Sequence, residues 1–227
     1  MFRELLSIFR SKNPLTEMGD DFARMLKLAQ EMTLSAGVIF FERKAMPEEQ
    51  KAIRKQDIQV NQLERMIRKQ VVAHLSVPGN TPDVPYCLLL MSLVKDVERL
   101  GDYAKNILEL LDFAPERLPD DEVVKELLSI RQGIEEAFQA ASEVFTTLRP
   151  ERALQLIREG RQIAQGSDAL IERIAGEKYD TGTTTALVLA TRYYKRIGGH
   201  LLNVVSSVVM PLHKVDYFDE DEILSGR

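Results

Sequence analysis

The chain has 227 residues, 44% of them hydrophobic and 29% charged, with a formal net charge of −5 at pH 7. That length can bury a sizeable core, as one large domain or two small ones. The acidic balance speaks against sequence-independent nucleic-acid binding and suits metal cations better, and the single cysteine, Cys87, excludes an internal disulfide and a Cys-rich zinc site.

No apolar run approaches the ~20 residues that span a bilayer. Residues 1–14 mix Phe2, Leu5, Leu6, Ile8 and Phe9 with Arg3, Glu4 and Arg10. They lack the apolar core and cleavage site of a signal peptide, so a cytoplasmic protein is expected. Two readings of this segment stand: a short amphipathic helix docked on the protein's own bundle, or one that touches a membrane protein or membrane surface.

Helix one is predicted from about Leu15, after Pro14. Its seam is Leu15, Met18, Phe22, Met25, Ala29, Met32, Ala36 and Ile39, alternating three and four residues apart, as in a helix bundle. Pro47, Glu48 and Glu49 open helix two, with acids at the positive end of the dipole. Its seam, Ile53, Asp57, Val60, Glu64, Ile67 and Val71, runs to about His74 and places two carboxylates on the edge of an apolar stripe. That placement is costly unless the carboxylates are paired or ligating, and Arg54, Arg65 and Arg68 are near enough in sequence to pair with them. Ser76 to Pro85, with Pro78, Gly79 and Pro82, reads as a loop.

Helix three carries Leu93, Val97, Leu100, Ala104, Ile107 and Leu111 on one face. Glu98, Asp102 and Asn106 form a second column at i, i+4 and i+8. Gly101 lies inside this helix at a cost of about 1 kcal/mol relative to Ala, so the close approach of another helix or of a ligand is expected there. The helix ends before Pro115 and Pro119.

Asp120, Asp121 and Glu122 open helix four, whose seam is Leu127, Ile130, Ile134, Ala137, Ala141, Val144 and Leu148. Pro150 and Glu151 open helix five, with Leu156, Ile163, Leu170 and Ile174 apolar. Thr181 to Thr185 reads as a connection. Helix six follows with Ala190, Tyr194, Ile197, Leu201, Val204 and Val208, and Pro211 closes it. All nine prolines fall at or beyond proposed helix ends. No segment alternates as a strand does, so an all-α fold is expected.

The helices repeat as two triplets, residues 15–117 and 118–213, followed by an acidic tail at 214–227. Glu98-Arg99-Leu100-Gly101-Asp102 aligns with Lys195-Arg196-Ile197-Gly198-Gly199, and Asn106 with Asn203. On the middle helices, Asp57, Val60, Asn61 and Glu64 align with Gly160, Ile163, Ala164 and Ser167. The apolar positions repeat and the acidic ones do not. Any cation site is therefore expected in the first triplet alone. Arg192, Lys195 and Arg196 on helix six would repel a cation; they read as a solvated basic face or an anion contact.

Glu-Arg-Leu-Gly-Asp-Tyr-Ala-Lys-Asn at 98–106 resembles the Glu-Arg-Ile-Gly-Asp-x-x-x-Asn signature of the PhoU family of phosphate regulators. The run Asp57-Ile-Gln-Val-Asn61-Gln-Leu-Glu64 resembles that family's other acidic helix. The resemblance extends over nearly the whole chain. It implies two tandem three-helix bundles of six long antiparallel helices with a pseudo-twofold internal repeat, a homodimer, and a regulatory role at a phosphate transporter.

It also implies multinuclear metal binding, here by Glu98 and Asp102 from helix three and Asp57 and Glu64 from helix two. Asn61 and Asn106 are further candidate ligands. An oxygen-only set suits Mg, Ca, Mn or ferric iron; the family favours iron, with Mg, Mn, Ca or Zn as the other choices. Spacing alone does not show that the two helices' acids converge.

The expected function is that of a cytoplasmic, non-enzymatic adaptor. It would dock on phosphate transporter subunits or a sensor histidine kinase, reach the membrane only through such partners, and repress phosphate uptake or signalling. The alternatives are a metal-free oligomeric scaffold and a carboxylate-metal phosphatase. The residues three before His74, His200 and His213 are Val71, Ile197 and Met210, so no Glu-x-x-His pair of the di-iron oxidases is present. No Gly-rich phosphate loop and no G-x-S-x-G elbow occurs either. His200 reads as a surface histidine, and Tyr193 and Tyr194 as side chains packed between helices.

Overall fold

The computed structural model describes residues 14–42, 47–147 and 149–215. The expected amphipathic segment before Pro14, most of the acidic tail and the seam position Leu148 lie outside the described residues. Six long helices make up the fold: α1 Pro14–Glu42, α2 Pro47–Leu75, α3 Val84–Glu109, α4 Glu122–Thr147, α5 Pro150–Gly176 and α6 Thr181–Ser206. No strand occurs among the described residues.

Each helix forms because one face is apolar and its ends are marked. The eight seam residues of α1 are all buried. The α2–α3 connection turns at Gly79, whose φ of +100° only glycine adopts without strain. Asn80 closes α2 by donating its side-chain amide to the His74 carbonyl at 2.8 Å, and Asp83 sits 2.8 Å from the His74 ring. Pro85 lies in the first turn of α3 rather than in the loop, where its missing N–H costs nothing.

Two details differ from the sequence reading. Thr181 to Thr185 is not a connection but the first turn of α6. The Asp180 carboxylate accepts the Thr183 backbone N–H at 3.0 Å and so caps a run that lacks strong helix formers. On α4 the inward position is Phe138, 1% exposed, whereas Ala137 sits half-buried at the stripe's edge. A helix of 3.6 residues per turn drifts off a three-four alternation over such a length.

Within each triplet every helix packs on the other two. The triplets join chiefly through their third helices, α3 against α6, so one continuous hydrophobic core runs through both. A pseudo-twofold relation is visible in that joint. Tyr103 and His200 are counterparts in the repeat, and they stack with centroids 5.7 Å apart. Asp96 and Tyr193 are counterparts too: Asp96 accepts from His200 at 2.8 Å, and Tyr193 meets Tyr103 at 5.9 Å. The Asn203 amide also donates to Asp96 at 2.9 Å.

A second joint involves α1. The Arg131 guanidinium of α4 lies 5.5 Å from the Phe41 ring centroid. Tyr194 of α6 is wholly buried 6.4 Å from the same ring. Gly37 on α1 is needed here, because an added Cβ would come within 2.7 Å of the Tyr194 hydroxyl and 2.9 Å of Arg131 Nε.

Candidate functional site

The α2–α3 seam holds the acidic residues. Ile53, Val60, Ile67 and Val71 on α2 and Val97, Leu100, Ala104 and Ile107 on α3 are buried, which fixes the rotation of both helices. Asp57, Glu64, Glu98 and Asp102 then stand at the edge of the apolar stripe, with side chains 14%, 13%, 20% and 26% exposed. The two helices' acids converge, which spacing alone did not show.

They converge on cations of the chain itself. The Lys105 ammonium lies between the helices, 3.3 Å from Asp57 Oδ2 and 3.0 Å from Asp102 Oδ1. Arg99 Nη1 reaches the other Asp102 oxygen at 3.1 Å, and its Nε lies 3.7 Å from Glu98. Arg68 binds Glu64 at 2.7 Å, one helical turn along α2. Asn61 and Asn106 are half-buried and join none of these ion pairs.

The electrostatics follow. Burial raises the Glu98 carboxyl above its ordinary range. Asp102 adds to the rise, Arg99 opposes it, and Glu64 and Asp57 push the same way as Asp102. Burial alone would lower the Lys105 ammonium. The hydrogen bond to Asp102 and the fields of Asp57 and Asp102 outweigh it, and the group stays charged beyond the usual lysine range.

As placed, these side chains do not fit a multinuclear metal centre. An ammonium takes the position between the helices where a cation would bridge Asp57 and Asp102, and guanidinium groups engage the outer oxygens. No group of three or more Asp, Glu, His or Cys side chains among the described residues is arranged to hold an ion. Lys105 was missed in the sequence because it lies three residues after Asp102, which reads as an ordinary solvated helix pair. Only the position of α2 makes it a bridge.

Gly101, expected to mark a close approach, faces Met32 of α1 and Val60 of α2, and an added Cβ would meet both at 3.6 Å, ordinary contact distance. Gly37 aside, the tight glycines among the described residues are in the second triplet. There a Cβ on Gly160 would lie 2.7 Å from both Leu202 methyls, and one on Gly198 2.9 Å from Ile134 Cδ1.

The corresponding surface of the second triplet is built differently. Lys195, the counterpart of Glu98, binds Asp168 of α5 at 2.5 Å, while Arg192 and Arg196 are exposed. Leu202 stands where the first triplet has Lys105, and Gly160 where it has Asp57. An open groove of about 580 Å³ runs between α4 and α5, lined by Gly133, Gly160, Gly166, Glu136, Arg152 and Glu159. It lies in the other triplet from the acidic column. The buried acid that the sequence reading passed over is Asp96, 8% exposed, the hub of the α3–α6 joint. His200 is accordingly half-buried and partnered there rather than free at the surface.

No helix among the described residues is long and apolar enough to cross a membrane.

A search of the curated proteins finds no match. The family model described as the PhoU domain matches residues 22–111. Among solved structures, the chain is similar to PhoU from Pseudomonas aeruginosa, with a TM-score of 0.76 at 19% identity over 88% of this chain and 97% of that one. It is likewise similar to the phosphate transport system regulatory protein PhoU from Streptococcus pneumoniae, with a TM-score of 0.74 at 18% identity over 89% of this chain and 95% of that one. Residues 22–111 thus match the PhoU-domain model, and the chain has the same fold as these two PhoU structures.

Proposed function

We propose that this protein is a non-enzymatic regulator of phosphate transport, acting in the cytoplasm as a homodimeric adaptor. It docks on phosphate transporter subunits or on a sensor histidine kinase and represses phosphate uptake or signalling. The observation that carries this reading is the PhoU-domain match over residues 22–111, which includes the whole of the Glu98 to Asn106 motif. The similarity to the Streptococcus pneumoniae protein, described as a phosphate transport system regulatory protein, supports it at the level of the fold. Long helices with polar outer faces suit docking: α2 buries only Ile53, Val60, Leu63, Ile67 and Val71 along its 29 residues. Asp57 and Asp102 hold the Lys105 ammonium.

Deletion of the gene tests the role directly. Phosphate-responsive expression is expected to escape repression in phosphate-replete cells, and the protein is expected to co-purify with transporter or kinase subunits. An unchanged phosphate response together with no such partner would overturn the proposal.

A further inference from the structure

The acidic signature and the seated lysine disagree, and that disagreement carries an inference of its own, independent of the regulatory role. We infer that the Lys105 ammonium is the resident cation of the α2–α3 seam, standing in for a metal ion and excluding one. Three observations support it. The ammonium bridges carboxylates from two helices, Asp57 at 3.3 Å and Asp102 at 3.0 Å, as a divalent ion would. The remaining charges are already matched, Glu64 by Arg68 at 2.7 Å and Asp102 by Arg99 at 3.1 Å. The equivalent place in the second triplet is also filled by the chain's own side chain, with Leu202 packed against Gly160. In both triplets the third helix sends the residue just before its Asn, Lys105 or Leu202, across to the middle helix.

An ammonium on a flexible stem is a point charge of +1 with three donors. Its single charge is shared between the two carboxylates, Asp57 and Asp102, and balances one of their two negative charges. A hard divalent ion would need that same space and those same oxygens. While Lys105 is present, metal entry requires its displacement into solvent. Once its charge is removed, Asp57 loses the ammonium and Asp102 and Glu98 share Arg99 alone, so the acids of the two helices carry excess negative charge.

The test uses the full chain purified without a histidine tag, with Mn²⁺ as the probe, followed by calorimetric titration and thermal unfolding. The native chain is expected to bind no Mn²⁺ below about 1 mM. Lys105→Met keeps most of the side chain's unbranched apolar stem and removes its charge. It is expected to bind one Mn²⁺ at least about tenfold more tightly than the native chain. Its midpoint should fall by about 2–4 °C without metal and recover with Mn²⁺, while the native midpoint does not respond. Adding Asp57→Asn and Asp102→Asn to the variant should abolish the gain. Lys105→Gln serves as a second charge-removing variant should Lys105→Met fold poorly. Native binding as tight as that of the variants, or variants that gain no affinity, would overturn the inference.

Discussion

The two triplets share one plan and close the seam between their second and third helices in opposite ways. In the first, Asp57 and Lys105 meet as an ion pair at 3.3 Å, with Asp102 sharing the ammonium. In the second, the same two places hold Gly160 and Leu202, and the leucine lies so close that no Cβ fits beneath it. Both places join the second helix of a triplet to its third, so the comparison sets one side-chain chemistry against another. A half-buried ion pair and a glycine–leucine contact both satisfy the seam, in keeping with the observation that buried pairs are often exchangeable for apolar packing of similar volume. The acidic signature of the first triplet therefore does not by itself require an external cation.

Breaking the second seam should have the largest effect. Gly160→Asp forces a carboxylate against Leu202 and is expected to cost about 3–5 kcal/mol in chemical denaturation. Leu202→Lys in the same chain should recover part of that loss, which would transplant the first triplet's solution into the second. If the double variant is no more stable than Gly160→Asp alone, the two seams are not equivalent.

The joint between the triplets comes next. Asp96→Ala leaves the His200 ring and the Asn203 amide without their shared acceptor, an expected loss of about 1–3 kcal/mol in the unfolding free energy. Glycine substitutions sharpen the contrast further. Gly101→Ala meets only ordinary contacts and is expected to stabilise the protein by about 0.5–1 kcal/mol through helix propensity. Gly160→Ala must push Leu202 aside and is expected to destabilise it by about 1–3 kcal/mol. Equal effects at the two positions would mean that the seams are packed alike.

The smallest effect concerns Glu98. Its carboxyl is raised above the unfolded value by burial and by neighbouring acids, so the folded state holds its proton more tightly than the unfolded state. Stability attributable to Glu98 is then greatest at acid pH and is lost as pH rises through the unfolded and then the folded pKa. Glu98→Gln should raise the unfolding midpoint by about 1–2 °C at pH 7, a gain that fades below the carboxylate range. A variant less stable than the native chain at pH 7 would show that the Arg99 contact outweighs burial.

Most of the fold was legible in the sequence because core positions recur with the helix period and helix ends are marked by proline and acids. The α1 seam from Leu15 to Ile39 is buried residue for residue. The start of α6 was not legible from composition. Threonine and glycine are weak helix formers, and the deciding contact is a single cap by Asp180. Phe138 displaced Ala137 because the period is not an even alternation of threes and fours. At the candidate site, Glu98, Asp102, Asp57 and Glu64 were readable as acids on two helix faces. Their pairing was not, since Lys105 and Asp57 are brought together only by the rotation of α2 against α3, which no single-helix pattern encodes. Asp96 was hidden for the same reason, its partners lying on the last helix of the other triplet.

The most direct measurement of the equivalence between the seams is a double-mutant cycle on Asp57→Gly and Lys105→Leu, followed by urea unfolding. The account predicts that each single change lowers stability and that the double variant, which gives the first seam the second seam's residues, is more stable than the summed losses by about 0.5–3 kcal/mol. Strictly additive losses would contradict it.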